Sequence, residues 1–145
     1  MLKKLKNIFV RIILKNIPIG MYITRSPTTV TLQASYKEIV DLMENNVIRH
    51  LPVLDGKKVV GIISERNLKL PPHLANEINL KAEVIMTIDP YTIQSDTPLH
   101  KVVSVMAERR IGSVIIVSSQ GELVGIFTTV DALNALNDIL CGEML

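Results

Sequence analysis

The sequence has one cysteine, five aromatic residues and no tryptophan, and each shortage excludes a class of protein. The single thiol, Cys141, cannot form a disulfide within the chain or a cysteine-based zinc site, and it fits a reducing compartment. The aromatic side chains are too few for the stacking surface of a single-strand-binding protein. No segment approaches the roughly 20 apolar residues that span a bilayer. We therefore expect a cytoplasmic, globular chain.

Acidic residues are absent from the first 37 positions, which hold seven basic residues, whereas positions 38–145 carry nine basic and fourteen acidic residues. Arg11 and Lys15 interrupt the apolar stretch near the start and no small-residue cleavage site follows, so we expect no signal peptide. Residues 2–14 have the spacing of an amphipathic helix, and we assign residues 1–20 to a basic arm.

Three interpretations of this basic arm stay open. The arm packs on its own module or on a second copy, it lies on an anionic membrane surface, or it touches nucleic acid or an acidic protein. Its many apolar residues favour packing. We therefore expect neither a membrane surface nor nucleic acid to be a partner.

The remaining sequence contains one unit twice. Residues 27–54 align with residues 90–117 at an offset of 63, and a one-residue insertion then changes the offset to 64, which aligns Asn67 with Asp131. The apolar pattern of each copy predicts the element order strand, helix, strand, turn, strand, helix. A unit of this size is small for an independent core, so we expect the two sheets to pack face to face in one pseudo-symmetric α/β domain.

Short β-branched runs and helical spacings locate the predicted elements. The expected strands are Leu51–Leu54, Val59–Ile63, Tyr91–Gln94, Val114–Val117 and Leu123–Phe127. The expected apolar helix faces are Ile39, Val40, Leu42 and Met43, then Leu99, Val102, Val103 and Met106, then Ala132, Leu133, Leu136, Ile139 and Leu140.

Capping residues and prolines predict where the helices begin and end. Thr97 is the expected N-cap before Pro98, and either Ser35 or Ala34 caps the first helix. Pro71-Pro72 is expected to end the closing helix of the first copy. The boundaries we assign are residues 21–70 for repeat 1, 71–83 for a linker and 84–145 for repeat 2.

The landmarks of the two copies resemble the CBS (cystathionine β-synthase) motif, and the pair resembles a tandem CBS pair, or Bateman module. The matching motifs are Pro27-x-Thr-Val, Met43, Arg49-His50-Leu51-Pro52-Val53 and Gly61-Ile-Ile-Ser64-x-x-Asn67, then Met86-Thr87, Pro90, Met106, Arg110-Ile111-Gly112-Ser113-Val114 and Gly125-Ile-Phe-Thr128-x-x-Asp131. The resemblance covers about residues 21–140. It implies two β-α-β-β-α CBS repeats packed sheet to sheet, which bind AMP, ADP, ATP or S-adenosylmethionine between them, report to an effector protein and form homodimers through helices.

Thr128-x-x-Asp131 is the most specific of these motifs. Its spacing is that of a helix capping box. The same geometry suits a ligand, because a helix N-terminus favours phosphate and a carboxylate can accept two hydrogen bonds from a ribose diol. The equivalent pair, Ser64 and Asn67, lacks the acid, and an asparagine accepts through one oxygen only. We therefore expect one dominant site and one weaker site.

The resemblance implies that the dominant site is shared between the repeats. Its expected residues are Ile23, Thr24, Thr28, Ile48, Arg49, His50, Ile126, Thr128 and Asp131, with the apolar members around adenine and Arg49 or His50 near phosphate. The weaker site would use Thr87, Tyr91, Ile111, Ser113, Ser64 and Asn67. Core packing of Ile23 and Ile48, a solvated Arg49 and a half-buried structural His50 stay open as alternatives. We interpret Arg109 and Arg110 as a solvated helix end, where cations complement the helix dipole.

The sequence contains no recognisable catalytic or metal-binding set. The histidines, His50, His73 and His100, lack metal-ligand spacing, and there is no nucleophile elbow, Walker loop or dinucleotide fingerprint. We expect a stand-alone regulatory module that is not an enzyme, needs no cofactor or metal, and signals to an unknown partner protein. The alternatives are a structural or interaction module without a ligand, and a nucleic-acid-associated regulator that acts through the basic arm.

Overall fold

The computed structural model describes residues 10–142. The part of the predicted arm helix before residue 10 lies outside the described residues. Residues 10–15 are helical, which we name α1, and Leu14 packs against the core of the second repeat while Ile12 and Ile13 are exposed. Pro18 then starts a short connection with a 3-10 turn at Ile19–Met21.

Eight strands form two four-stranded sheets. They are β1 (Thr24–Arg25), β2 (Val30–Thr31), β3 (His50–Asp55), β4 (Lys58–Ser64), β5 (Thr87–Ile88), β6 (Thr92–Ile93), β7 (Ser113–Val117) and β8 (Leu123–Thr128). The first sheet has the order β2-β3-β4-β5 and the second has the order β1-β8-β7-β6. The central pairs β3–β4 and β7–β8 are antiparallel hairpins, whose turns use Gly56 and Gly121 at φ 59° and 80°.

Helices follow the strands in the order that the repeat predicts, with one difference after β4. The helices beyond α1 are α2 (Tyr36–Asn46), α3 (Pro72–Glu77), α4 (Ala82–Ile85), α5 (Leu99–Arg109) and α6 (Thr129–Cys141). Helix α6 closes the second repeat, whereas the first repeat has a 3-10 turn, Glu65–Asn67, in the same place.

Each sheet takes its edge strand from the start of the other repeat. Strand β1 pairs antiparallel with β8, so that Thr24 lies opposite Ile126, and β5 pairs with β4 in the same register, so that Thr87 lies opposite Ile62. The two pairings correspond at the offsets of 63 and 64 found in the sequence. The repeats are therefore linked by exchanged strands as well as by sheet packing.

A matching pair of backbone contacts fixes the exchanged segments. The Ile19 N–H donates to the Thr97 carbonyl at 2.9 Å, and at the offset of 63 the Ala82 N–H donates to the Ala34 carbonyl at 2.9 Å. The Leu99 N–H donates to the carbonyl of Ile17, which likewise has a counterpart in the first repeat. The pseudo-two-fold relation thus extends to individual hydrogen bonds.

Two apolar clusters form the core, one under each sheet. The first contains Val30, Ala34, Ile39, Met43, Leu51, Val53, Ile63 and Ala82, and the second contains Ile17, Ile19, Leu99, Val102, Met106, Val114, Ile116, Phe127 and Ala135. Alternate residues of a strand face opposite sides of a sheet, and Ile115 and Pro52, which lie between cluster members, are also fully buried. Both faces of each sheet are therefore covered, as the α/β prediction requires.

The predicted strands and helices are confirmed, with two corrections and one open alternative settled. Pro98, not Thr97, is the N-cap of α5, because Pro98 is extended and the helix begins at Leu99. Ser35 is the N-cap of α2, since its hydroxyl accepts from the Glu38 N–H. Pro71-Pro72 does not end a closing helix, because the first repeat has only the 3-10 turn there and α3 begins at Pro72, a position that tolerates a missing N–H.

Some residues of the predicted helix faces are exposed. Val103 of α5 and Leu133, Leu136 and Leu140 of α6 lie on the surface, while Leu99, Val102, Met106 and Ala135 are buried. The second repeat thus carries an apolar face that its own core does not cover.

Candidate ligand-binding site

A cavity of about 650 Å³ lies between the two repeats. Four segments line it: the residues after β1, the α2–β3 connection, the start of β7 and the β8–α6 junction. The first two segments belong to repeat 1 and the last two belong to repeat 2. Any molecule that fills this cavity therefore touches both repeats.

Eight of the nine residues predicted for the dominant site line this cavity. They are Thr24, Thr28, Ile48, Arg49, His50, Ile126, Thr128 and Asp131. The ninth, Ile23, packs against the core of the second repeat, and its Cδ1 would lie 3.1 Å from a Cβ built on Gly125. Because successive residues point to opposite sides of a strand, Thr24 faces the cavity while Ile23 faces the core.

Two hydrogen bonds donated by Thr128 fix the orientation of the Asp131 side chain. The backbone N–H and the hydroxyl of Thr128 both donate to Asp131 Oδ2, at 2.7 and 2.8 Å. The same pair caps α6, as the motif predicts. Within residues 10–142, no hydrogen bond is formed to Asp131 Oδ1. The carboxylate of this cavity-lining residue thus has a fixed orientation and keeps one oxygen as an acceptor.

His50 is a half-buried lining residue of the cavity and lies beside the second repeat. Its Nε2 would lie 3.2 Å from a Cβ built on Gly112, so a side chain at that position would crowd the ring. Burial lowers the pKa of His50, and the positive charges of Arg66 and Arg49 lower it further, while the Glu65 carboxylate acts in the opposite direction. The neutral imidazole is therefore favoured, and it offers one donor and one acceptor.

Arg49 lies at the exposed rim of the cavity. Its Nε is 3.7 Å from Glu65 Oε2, and both side chains are mostly exposed, so this ion pair contributes little to stability. The guanidinium can leave this partner for a stronger acceptor such as a phosphate. The positive guanidinium of Arg49 and the carboxylate of Asp131 give the cavity a nearly balanced charge.

Sequence reasoning missed several cavity residues, which are Ser26, Pro27, Asn46, Val47, Gly112, Thr129 and Val130. Two of them have unusual backbone: Ser26 and Val47 lie in the left-handed region at φ 48° and 53°. A β-branched residue such as Val47 rarely adopts a left-handed backbone, so the sequence does not predict this conformation. Gly112 and Thr129 adjoin the predicted residues Ser113 and Thr128 in the sequence, and this proximity is the signal that could have found them.

Two of the residues predicted for the weaker site repeat the hydrogen bonds of Thr128 and Asp131. The Ser64 N–H and hydroxyl both donate to Asn67 Oδ1, at 2.8 and 2.7 Å. Thr87 lies in β5 and Ser113 at the start of β7, whereas Tyr91 and Ile111 pack partly against the second core. We call these residues the predicted second site.

Another cavity, of about 480 Å³, lies within the first repeat between α2 and the 3-10 turn. Its lining is largely apolar and includes Val40, Met43 and Leu68. It lies where the second repeat has α6 and contains neither Thr128 nor Asp131. Polar groups from both repeats converge only on the larger of these two cavities, which is therefore the candidate site.

The described residues contain no group of three or more histidine, cysteine or acidic side chains placed to hold a metal ion. In the same part of the chain, no helix has the length and apolar character needed to cross a membrane.

The family model of the CBS domain matches residues 19–70 and 81–138, which is more than half of the sequence. The chain belongs to the CBS domain family. The CBS domain pair of a protein called MJ0100, solved in complex with 5′-methylthioadenosine and S-adenosyl-L-methionine, superposes with a TM-score of 0.72 and 28% identity, covering 83% of this chain and 99% of that one. An uncharacterised conserved protein from Pyrococcus horikoshii is 32% identical with a TM-score of 0.72, over 84% of this chain and 93% of that one.

This CBS domain pair also resembles segments of larger proteins. The inosine-5′-monophosphate dehydrogenase of Korarchaeum cryptofilum is 34% identical over 110 residues, which are 76% of this chain and 22% of the dehydrogenase. The chain thus spans about a fifth of the length of that relative.

Proposed function

We propose that this CBS domain pair is a non-catalytic regulatory module that binds one adenosine-containing ligand in the cavity between its repeats. The observation that carries the proposal is the geometry of Asp131, whose Oδ2 accepts both Thr128 hydrogen bonds while Oδ1 is left for a ligand. Ribose hydroxyl groups are donors that an oriented carboxylate accepts well. The Asp131 side chain therefore serves as the anchor for a ribose.

The remaining cavity residues suit the other parts of such a ligand. Ile48 and Ile126 provide apolar surface from opposite repeats for an adenine ring. Arg49 and His50 lie at the rim, where a phosphate or another acceptor group would sit. The nearly balanced charge of the cavity favours a nucleoside, a nucleoside monophosphate or a zwitterion over a nucleoside triphosphate. The complex of MJ0100 with 5′-methylthioadenosine and S-adenosyl-L-methionine supports this class of ligand.

The ligand would regulate by changing the arrangement of the repeats. Because both repeats line the cavity, a bound molecule favours the arrangement to which it binds more tightly, and it can shift the equilibrium only by that difference in affinity. An effector protein would recognise the favoured arrangement.

The active form would be a homodimer that buries the exposed face of α6. Leu133 and Leu140 are 60% and 76% exposed, and their spacing places them along one side of the helix. Such a contiguous apolar face typically marks an interface.

Isothermal titration of the protein with AMP, 5′-methylthioadenosine and S-adenosylmethionine tests this function. At least one of them should bind with one site per chain, and Asp131→Asn should weaken that binding at least tenfold, because the amide lacks the second acceptor oxygen. Asp41→Asn is the matched control, since Asp41 is an exposed carboxylate that pairs with Lys37 on α2, and it should leave affinity unchanged. Absence of heat and of thermal stabilisation with all three compounds would contradict the proposal.

A further inference from the structure

The first repeat has an open groove in the place where the second repeat has a helix. In the second repeat, Ala135 of α6 is buried in the same apolar cluster as Met106 of α5. Met43 is the counterpart of Met106 at the offset of 63, and it lines the cavity of about 480 Å³ beside α2. We call this cavity the α2 groove. It occupies the position of a closing helix, where the described first repeat has only a 3-10 turn.

The chain that follows β4 cannot supply this closing helix. The 3-10 turn Glu65–Asn67 comes directly after β4, and Pro71 and Pro72 follow a few residues later. A proline disfavours helical backbone in the residue before it and lacks the N–H group that a helix interior needs. A helix that fills the α2 groove must therefore come from elsewhere.

The α2 groove combines apolar walls with negative charge. Its apolar walls include Val40 and Leu68. Two exposed acids, Glu44 and Glu65, also line it. Glu65 pairs with Arg49, whereas Glu44 forms no ion pair in the part of the chain that the structure describes. The groove is thus complementary to an amphipathic helix whose apolar face is flanked by positive charges.

The basic arm has an apolar face that its own module leaves uncovered. In α1, Leu14 packs against the core of the second repeat, whereas Ile12 and Ile13 are 54% and 39% exposed. Leu5 and Phe9 precede Ile12 and Ile13 at helical steps of three and four residues, so the helix predicted for the arm places them on the same side. That side points away from the second repeat, because Ile12 and Leu14 lie on opposite sides of a helix.

The direction and the charge of the arm both favour a second copy as its partner. Since the inner side of α1 is fixed to its own second repeat, the outward side is free to contact another molecule. Positions 1–37 hold seven basic residues and no acid. Three of these are lysines at positions 3, 4 and 6, and they can pair with Glu44 in the α2 groove.

We infer that the apolar face of the basic arm binds in the α2 groove of a second copy, where it takes the place of the missing closing helix. Two copies related by a two-fold axis exchange their arms in this way, and neither groove is left open. The arm lies largely before residue 19, where the CBS domain match begins. The inference rests on the proposed homodimer only in that both need a second copy. It does not use the exposed face of α6, so the two interfaces can fail separately.

Cross-linking between two different single-cysteine variants of the full chain tests the inference. Both carry Cys141→Ser, and one adds Ile12→Cys in the arm while the other adds Val40→Cys in the groove. A product that contains both proteins therefore always joins two chains. A short bismaleimide should link the mixed proteins, and denaturing electrophoresis with mass spectrometry measures the product. Val84→Cys in place of Val40→Cys is the matched control, since Val84 is an exposed valine outside the groove, and it should give little product.

The charge complementarity is tested by a substitution in the groove. Glu44→Lys turns an attraction into a repulsion and should lower the cross-linked fraction about threefold or more at low salt. Glu38→Lys is the control, because Glu38 is an exposed acid of α2 that does not line the groove, and it should leave the fraction unchanged.

The apolar contact is tested by a substitution in the arm. Phe9→Asp in the arm protein places a charge in the apolar face and should remove the cross-linked product. This variant leaves α2 intact, so the test stands even if Glu44→Lys is unstable. Absence of product, equal product with Val84→Cys, or undiminished product with Phe9→Asp would overturn the inference. Binding to phosphatidylserine vesicles that Phe9→Asp abolishes, without any cross-linking, would also overturn it and would assign the arm to a lipid surface.

Discussion

Asp131 and Asn67 occupy equivalent positions in the two repeats, and each accepts two hydrogen bonds on one oxygen from the residue three positions earlier. After these bonds form, the carboxylate keeps an acceptor and the amide keeps only a donor. The two strand–helix junctions thus have the same local fold and opposite remaining hydrogen-bonding capacity. A change of one side-chain atom is enough to produce this difference.

Capping and binding by Asp131 should be separable by substitution. Asp131→Ala removes the acceptor for both Thr128 hydrogen bonds and should lower the free energy of unfolding by about 1 kcal/mol, the usual cost of losing a helix cap. Asp131→Asn should cost much less, because Asn67 makes the same two bonds in the first repeat. Urea unfolding of the three proteins measures both values. Equal losses in the two variants would mean that the carboxylate charge, not the cap, supplies the stability.

Ile19 should contribute to stability as a core residue of the second repeat, although in the sequence it stands at the start of the first CBS domain match. Its side chain is fully buried with Val102 and Phe127, and Ile19→Ala should lower the free energy of unfolding by roughly 2–5 kcal/mol. Met21→Ala, two residues away and 62% exposed, is the control and should have little effect. Chemical unfolding measures the difference, and similar small effects for both variants would contradict the exchange of segments between repeats.

The long strands and the helix faces could be predicted because their apolar patterns repeat at helical or strand spacing over the two copies. The exchanged edge strands β1 and β5 could not be predicted. Each of β1 and β5 has two residues, which is too few to show an alternation, and their partners lie in the other repeat. Ile17 and Ile19 were assigned to the arm, because their place in the core of the second repeat follows from tertiary packing and not from a local sequence pattern.

The candidate site was predictable to the extent that the repeat and the family motif mark it. Eight predicted residues line one cavity, whereas Ile23 does not, because the direction of a side chain from a two-residue strand depends on its pairing register. Val47 was missed since its left-handed backbone is set by the end of α2 and not by its side chain. The role of these residues in ligand binding remains a prediction.

The exposed face of α6 should hold the proposed homodimer together. Leu133→Glu combined with Leu140→Glu places charges in the middle of this apolar face and should convert a dimer into a monomer, because burying unpaired charges is strongly unfavourable. Ile78→Glu, at an equally exposed position outside α6, is the control and should remain dimeric. Analytical ultracentrifugation measures the mass of each protein. A monomeric parent protein, or a double variant that stays dimeric, would contradict the proposed interface.

His50 should make stability depend on pH in the mildly acidic range. Burial and the charges of Arg66 and Arg49 lower its pKa in the folded chain, while Glu65 opposes them, so the unfolded chain binds a proton more readily than the folded chain. The stability is therefore fully present above the ordinary histidine pKa of about 6.5 and decreases as the pH falls through the lowered folded value.

The pH effect of His50 is measured as the free energy of unfolding between neutral and mildly acidic pH, where one proton changes it by at most about 1.4 kcal/mol per pH unit. His50→Gln should flatten this part of the profile, whereas His100→Gln, which alters an exposed histidine of α5, should not. A phosphate that binds beside His50 favours the imidazolium, so the affinity for AMP should rise as the pH falls while that for 5′-methylthioadenosine should not. Identical pH profiles for the two ligands would place the phosphate away from His50 and leave Arg49 as its partner.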